Sequence, residues 1–280
     1  MIVIEDRQSL DSWVEQSRMW GGKVGFIPTM GALHEGHLAL VREAKKTCTQ
    51  TIVSIFVNPT QFGPEEDFSQ YPRTFEKDRA LLEEIACDAV FLPSPEVIYP
   101  PGGQTYVAVE PLASQLCGAS RPGHFQGVAT VVTILLNLVR PHAAYFGVKD
   151  YQQLTLIKQM VRDLAMAVEV VGVPIVREED GLALSSRNRY LTAKERQQAT
   201  ALYKALLAAQ SLFKNGELKA IKLEKAARKI LYESGIEQID YVEVRHRKTL
   251  ACQLSVEDPV MLIAAKVGKT RLIDNMVLST

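Results

Sequence analysis

Over the first 176 or so residues, short apolar runs alternate with amphipathic stretches. The runs Val24–Ile27, Thr51–Val57, Ala89–Leu92, Ala143–Phe146 and Val168–Val171 are β-branched or aromatic-rich and bounded by Pro, Gly or Asn, which predicts buried strands. Between them, helical periodicity runs through Glu35–Cys48, Phe75–Ala86, Gly127–Val139 and Asp150–Ala165. Strand–helix alternation of this kind predicts an α/β fold, a Rossmann-like and mostly parallel sheet with helices on both faces. Such sheets bind ligands at the carboxyl ends of their strands.

After Pro174 the texture changes. Arg177–Gly181 reads as a charged connector, and Thr192 with Glu195 forms a TxxE capping box. The box opens a helix whose apolar face runs Ala199, Leu202, Leu206, Ala209, Phe213. A second helix starts near Glu217 and closes at Gly235. Three strand candidates follow: Gln238–Val244, Val260–Ala265 and Arg271–Met276. The expected division is 1–175 as the Rossmann-like domain and 176–280 as a smaller C-terminal α+β lid domain.

Composition narrows the function classes. The 32 basic and 32 acidic side chains cancel, so no basic excess points to nucleic acid and any anion site must be local. The longest apolar run, Val128–Val139, is interrupted by Thr130, Thr133 and Asn137 and is too short to span a membrane. No basic region followed by an apolar stretch opens the sequence. Cys48, Cys87, Cys117 and Cys252 have no metal-ligand spacing and read as buried reduced thiols. The expectation is a soluble cytoplasmic protein, without nucleic-acid or membrane partners.

Three segments carry candidate chemistry. In the first, Met30-Gly31-Ala32-Leu33-His34-Glu35-Gly36-His37 follows the Val24–Ile27 strand and enters a helix. Unpaired N–H groups at the helix start, two glycines and two imidazoles there make an anion site. His37 also falls on the apolar stripe Leu40, Val41, Ala44, so an inward-facing packed histidine is the competing reading. The second, Gly147-Val148-Lys149-Asp150, places a lysine at a strand end, where it suits a phosphate. Asp150 and Gln153 equally make a helix cap. The third, Leu184-Ser185-Ser186-Arg187, suits a clamp on polyphosphate or a polar turn before the Thr192 helix.

Taken together, GFIPTMGALHEGHLALVREA, SIFVNPTQF, YPRT, GASRPGHFQGVATVV, FGVKDYQQL and DGLALSSRNRYL resemble the pantoate–β-alanine ligase family in order and spacing over essentially the whole chain. HxGH is shared with nucleotidyltransferases and class I aminoacyl-tRNA synthetases, whereas VNPTQF, SRPGHF and DGLALSSRN look specific to this family. The resemblance implies ligation of (R)-pantoate and β-alanine at the expense of ATP through a pantoyl adenylate. It also implies AMP and pyrophosphate as products, Mg²⁺ and a homodimer. Carried over by motif, Met30 to His37 would hold ATP, with His37 the general acid and His34 its partner at the phosphates. Gly147 to Asp150, Val176 and Leu184 to Arg187 would complete the ATP site, with Lys149, Ser185, Ser186 and Arg187 also assigned to catalysis. Gln61 would bind pantoate and β-alanine, and Gln153 pantoate. Asn58, Tyr71, Arg121 and His124 would lie in or near the pantoate pocket. Val148 departs from the polar residue usual between the glycine and lysine of GxKD, which puts in doubt any side-chain role there.

The chemistry suits these residues independently of the resemblance. Attack of a carboxylate on an α-phosphate needs positioning and positive charge rather than a nucleophilic side chain. A nucleotidyltransferase using the same loop, or a nucleotide-binding regulator without turnover, remain alternatives from the residues alone.

Overall fold

The computed structural model describes residues 1–279 apart from Trp20 and Glu65. Nine strands are present among them: β1 (Ile2–Ile4), β2 (Val24–Thr29), β3 (Gln50–Ile55), β4 (Ala89–Phe91), β5 (Ala143–Gly147), β6 (Glu169–Val173), β7 (Ile239–His246), β8 (Pro259–Val267) and β9 (Thr270–Val277). The first six form one parallel sheet in the order β1-β4-β3-β2-β5-β6. The last three form an antiparallel sheet, β7-β8-β9. The chain divides into two compact units, Met1–Val148 with Leu156–Pro174, and Lys149–Thr155 with Ile175–Thr280.

In the first unit, successive strand side chains alternate between faces. Ile27, Val53, Val90, Ala143 and Tyr145 pack with Leu40, Val41 and Ala44 of the helix Glu35–Thr47 and with Leu82 of the helix Phe75–Glu84. The intervening Phe26, Ile52, Phe91 and Ala144 are equally buried, on the opposite face. There the helix Arg7–Met19 contacts β2 and the helix His124–Val139. The sheet is therefore covered on both faces, as its continuous apolar strands require. Strand order reverses at β2, which lies between β3 and β5. Loops leaving the carboxyl ends of β2 and β5 are thus at the switch point of the sheet, where ligands bind in this architecture.

The second unit has its own core. Leu202, Leu206, Ala209, Leu223, Ala227 and Leu231, from the helices Ala201–Lys214 and Ala220–Glu233, pack on Val242, Val244, Met261, Ile263 and Leu272. The Thr192–Glu195 capping box is present. Gly235, at φ +76°, ends the second helix with a reciprocal pair of bonds: its N–H donates to Tyr232 and that of Ile236 to Leu231.

Several expectations shift. β1 and the helix Arg7–Met19 extend the α/β pattern to the start of the sheet. The helix expected from Gly127 starts at His124, because Gly123 turns the chain at φ +82°. The apolar face Ala199–Phe213 belongs to two helices, 193–199 and 201–214. At the break the Thr200 hydroxyl donates to the Gln197 carbonyl at 2.8 Å, competing with the helical ladder. Not all four thiols are buried: Cys87 and Cys117 are, Cys48 is half-buried and Cys252 is exposed.

Candidate active site

The first unit carries the HxGH segment on the loop from β2 into the helix Glu35–Thr47. Gly31 turns this loop at φ +81°, and Ala32 follows at φ +51°, a conformation costing a non-glycine residue about 1–2 kcal/mol. Asp78 offsets that cost. Its buried carboxylate accepts from the N–H of Ala32 at 2.9 Å and of Leu33 at 2.8 Å. Hydrogen bonds to a charged group contribute about 1.5–3 kcal/mol each, so the pair outweighs the backbone strain.

His34 is the helix N-cap, and the two histidines form a reciprocal capping box. His34 Nδ1 accepts from the Gly36 N–H at 3.1 Å, and His37 Nδ1 accepts from the His34 N–H at 3.3 Å. A neutral ring whose Nδ1 accepts carries its proton on Nε2, so both imidazoles are set as Nε2–H donors. The rings lie 4.2 Å apart between centroids. Two of the N–H groups expected to be unpaired at the helix start have partners. The Gly36 N–H is held by His34 Nδ1, and the His37 N–H donates to the His34 carbonyl at 2.8 Å. His37 and His34 are half-buried.

After β3, Asn58 caps a turn, Pro59–Gln61. Its side-chain oxygen accepts from Tyr99 Oη at 2.8 Å and Thr60 Oγ1 at 2.9 Å, and its Nδ2 donates to Gln61 Oε1 at 3.3 Å and to the Gly127 carbonyl at 3.2 Å. Asn58 is thus a brace for Gln61. Gln61 is buried, with Nε2 2.7 Å from Met30 Sδ. Behind this turn stands Gly127, where a Cβ would lie 2.3 Å from the Thr60 carbonyl oxygen. Only glycine lets the helix His124–Val139 approach so closely.

Arg121 and His124 reach the same turn. Arg121 binds both oxygens of Glu66 at 2.6 Å and donates to the Gln61 carbonyl at 3.3 Å. His124 Nδ1 donates to that carbonyl at 2.7 Å, and its Nε2 is 3.0 Å from Arg121 Nη1. Since guanidinium can only donate, His124 takes the Nδ1–H form, opposite to His34 and His37. Burial pushes the Glu66 carboxyl up, but Arg121 outweighs it and holds the group below its ordinary value. Tyr71 is buried with its ring edge-on to Phe62 at 5.9 Å. The first unit therefore brings Met30–His37, Asn58, Gln61, Arg121 and His124 into connected local networks.

In the second unit, Lys149 and Asp150 occupy a turn of 3₁₀-helix directly before the helix Tyr151–Asp163, with Gln153 half-buried in its first turn. Lys149 Nζ lies 3.9 Å from Asp150 Oδ2. The hairpin after Val176 is closed by a bridge between Arg177 and Ala183 and by the Leu184 N–H donating to the Val176 carbonyl at 3.0 Å. Ser185 then caps a short 3₁₀-helix, Ser186–Tyr190, its hydroxyl accepting from the Arg187 N–H at 3.3 Å. Arg196 binds Glu178 at 2.6 Å and Asp180 at 2.8 Å and holds the Asp180 carboxyl below its ordinary value.

Sequence reasoning missed Asp78, Glu66 and Tyr99, and read Gly127 only as a helix start. Each acts on a segment distant in the chain, and neighbouring residues carry no sign of that partner.

The β2 loop thus carries a reciprocally capped histidine pair at the switch point of a parallel sheet, where enzymes of this architecture bind their ligands. The family model of pantoate–β-alanine ligase matches residues 2–277. A pantothenate synthetase of Magnetococcus marinus is 56% identical over 277 residues, 98% of this chain and 95% of the relative. One from Thermotoga neapolitana is 52% identical, covering 99% of this chain and 100% of its own. The crystal structure of pantothenate synthetase from Thermus thermophilus matches with a TM-score of 0.95 at 46% identity, over 100% of both chains. That of the Francisella tularensis pantoate–β-alanine ligase, complexed with β-γ ATP and β-alanine, matches with a TM-score of 0.83 at 36% identity, over 100% of this chain and 98% of that one. The chain belongs to the pantoate–β-alanine ligase family, whose members form pantothenate from pantoate and β-alanine.

Proposed function

We propose that the protein activates (R)-pantoate with ATP as a pantoyl adenylate, releasing pyrophosphate, and passes the acyl group to β-alanine with release of AMP. The observation that carries this reading is the reciprocal capping of His34 and His37, which sets two imidazoles as Nε2–H donors. Neutral donors of fixed tautomer suit phosphate oxygens whose charge grows during transfer. Met30 to His37 with Gly147 and Val148 would hold ATP in the first unit, His37 donating a hydrogen bond from Nε2–H toward the departing pyrophosphate. In the second unit, Lys149, Asp150, Val176 and Leu184 to Arg187 would serve ATP, with Lys149, Ser185, Ser186 and Arg187 stabilising the transferring phosphoryl group. A lysine at a helix start opposes the helix dipole, and an anionic ligand reverses that sign.

Gln61 and Gln153 would bind pantoate, since an amide both donates and accepts, as hydroxyls beside a carboxylate require. Asn58, Tyr71, Arg121 and His124 would shape that pocket, and Gln61 would also meet β-alanine. Among the described residues no group of three or more His, Cys, Asp or Glu could hold a metal ion. Magnesium would arrive with the substrate, carried on the phosphate oxygens of ATP. The reading includes a cytoplasmic homodimer, and no described helix is long and apolar enough to cross a membrane.

Exchange of labelled pyrophosphate into ATP tests the order of steps. It should require pantoate and proceed without β-alanine. An absolute requirement for β-alanine would indicate a concerted route, and exchange without pantoate would remove the acid assignment.

A further inference from the structure

We infer that the edge strand β9 mounts the phosphate-directed groups of the second unit, with Asn275 and Asp274 as positioning residues for Lys149 and for the hairpin that leads into Ser185–Arg187. Asn275 is buried at 3% exposure, and its Nδ2 donates to the Lys149 carbonyl at 2.9 Å. Asp274, also at 3%, binds Arg177 through both oxygens, at 2.7 and 2.8 Å. Its Oδ1 also accepts from the Asn275 N–H at 2.8 Å, which fixes the carboxylate relative to its own strand.

Arg177 carries the connection onward. It donates to the Gly181 carbonyl at 2.9 Å, so it braces the hairpin across its turn. Its guanidinium lies 4.2 Å from the centre of the Tyr203 ring, on the helix Ala201–Lys214. Gly181 is held at φ +93°, and a Cβ there would lie 2.1 Å from the Tyr203 ring, so the hairpin is seated tightly on that aromatic. From the far arm of the hairpin, the Ala183 carbonyl accepts from Asn188 Nδ2 at 3.1 Å, inside the Ser186–Tyr190 turn.

Adjacent strand residues point to opposite sides. Asp274 and Asn275 can therefore serve two different segments from one place in the backbone. Lys149, and Val176 with Leu184 to Arg187 at the two ends of the hairpin, are assigned above to ATP, and the inference rests on that assignment. A buried ion pair is weak evidence for stability, because apolar residues of like volume stabilise as well or better. What this network supplies that an apolar core cannot is a fixed direction for a lysine backbone and for a hairpin.

The test is a double-mutant cycle on the full chain, read by pantoate-dependent pyrophosphate exchange, using Asn275→Ala, Lys149→Ala and the pair. Asn275→Leu, which keeps the side-chain volume, is read beside Asn275→Ala, with a melt of every variant. With Lys149 present, loss of the amide should lower the maximal exchange rate about tenfold or more with little change in KM for ATP, as expected for a displaced rather than deleted group. In the Lys149→Ala background the same change should make less than about a threefold further difference. Equal losses in both backgrounds, or no loss with Lys149 present, overturn the positioning role while leaving the lysine assignment standing. If Lys149→Ala itself leaves exchange unchanged, the lysine assignment falls and the inference falls with it.

Discussion

His34 and His37 show one pair of side chains holding two roles. Each imidazole presents Nδ1 to a backbone N–H, and so each is both a helix cap and a donor of fixed tautomer. The roles separate by substitution. His37→Gln retains an amide oxygen able to reach the His34 N–H, as in an ordinary capping box, but has no imidazole. Both His37→Gln and His37→Ala should slow adenylate formation by about two to three orders of magnitude, the loss typical of one preorganised donor. Only His37→Ala should also lose stability, by about 0.5–2 kcal/mol. Single-turnover assays and melts together read both effects. A fully active folded fraction of His37→Ala would return His37 to a structural role. Glu66 gives a pH-dependent case. Because Arg121 holds its folded-state value below the ordinary one, the ion pair contributes stability above the unfolded-state value, about 4.3. That contribution is lost as pH falls through the folded-state value. The gap in melting temperature between the wild type and Glu66→Gln should narrow as pH falls below about 4.3. A gap constant from neutral to acidic pH would mean that packing, not charge, separates the two proteins.

At the scale of elements, the Pro59–Gln61 turn depends on a helix 63 residues further along, counted from Gln61 to His124. Gly127→Ala would place a methyl 2.5 Å from the Thr60 carbonyl carbon and 2.8 Å from the Gln61 nitrogen. Both are backbone atoms, so the turn must move. Overpacking of this kind costs about 1–3 kcal/mol. If Gln61 holds pantoate, calorimetry should show pantoate binding about five- to a hundredfold weaker with ATP binding nearly intact, as for loss of one buried polar partner. Retained pantoate affinity in a destabilised variant would detach this turn from the acid. Five of the six parallel strands were legible in the sequence because each lies in a dense apolar run between breakers. β1 was not, although it is no shorter than β4: its run ends at Glu5 and Asp6, with no Pro, Gly or Asn to bound it. The helix Arg7–Met19 could have been read from Leu10, Trp13, Val14 and Ser17 at helical spacing, with Asp6 accepting from the Ser9 N–H at 2.8 Å ahead of it. The site was legible as motifs, the braces were not. Asp78 lies 46 positions from Ala32 and Asn275 lies 126 from Lys149, and no local pattern encodes such pairings.

Across the whole molecule, two separate cores account for the change of texture near Pro174. Continuous apolar strands give way to amphipathic helices over a sheet whose core face includes Val242, Val244, Met261 and Ile263. The chain is neutral, so any anion site has to be local, and its candidate anion groups lie on a few short loops. The path of the backbone has one more consequence. The chain passes from one unit to the other at Val148, returns at Thr155 and passes again at Pro174, so the helix Tyr151–Asp163 is shared between them. Neither unit is a single stretch of sequence. A chimera that exchanged residues 176–280 alone between two members of this family would join one parent's Asn275 to the other's Lys149 segment. Recombination that respects the fold has to move Lys149–Thr155 as well, two exchanged blocks rather than one.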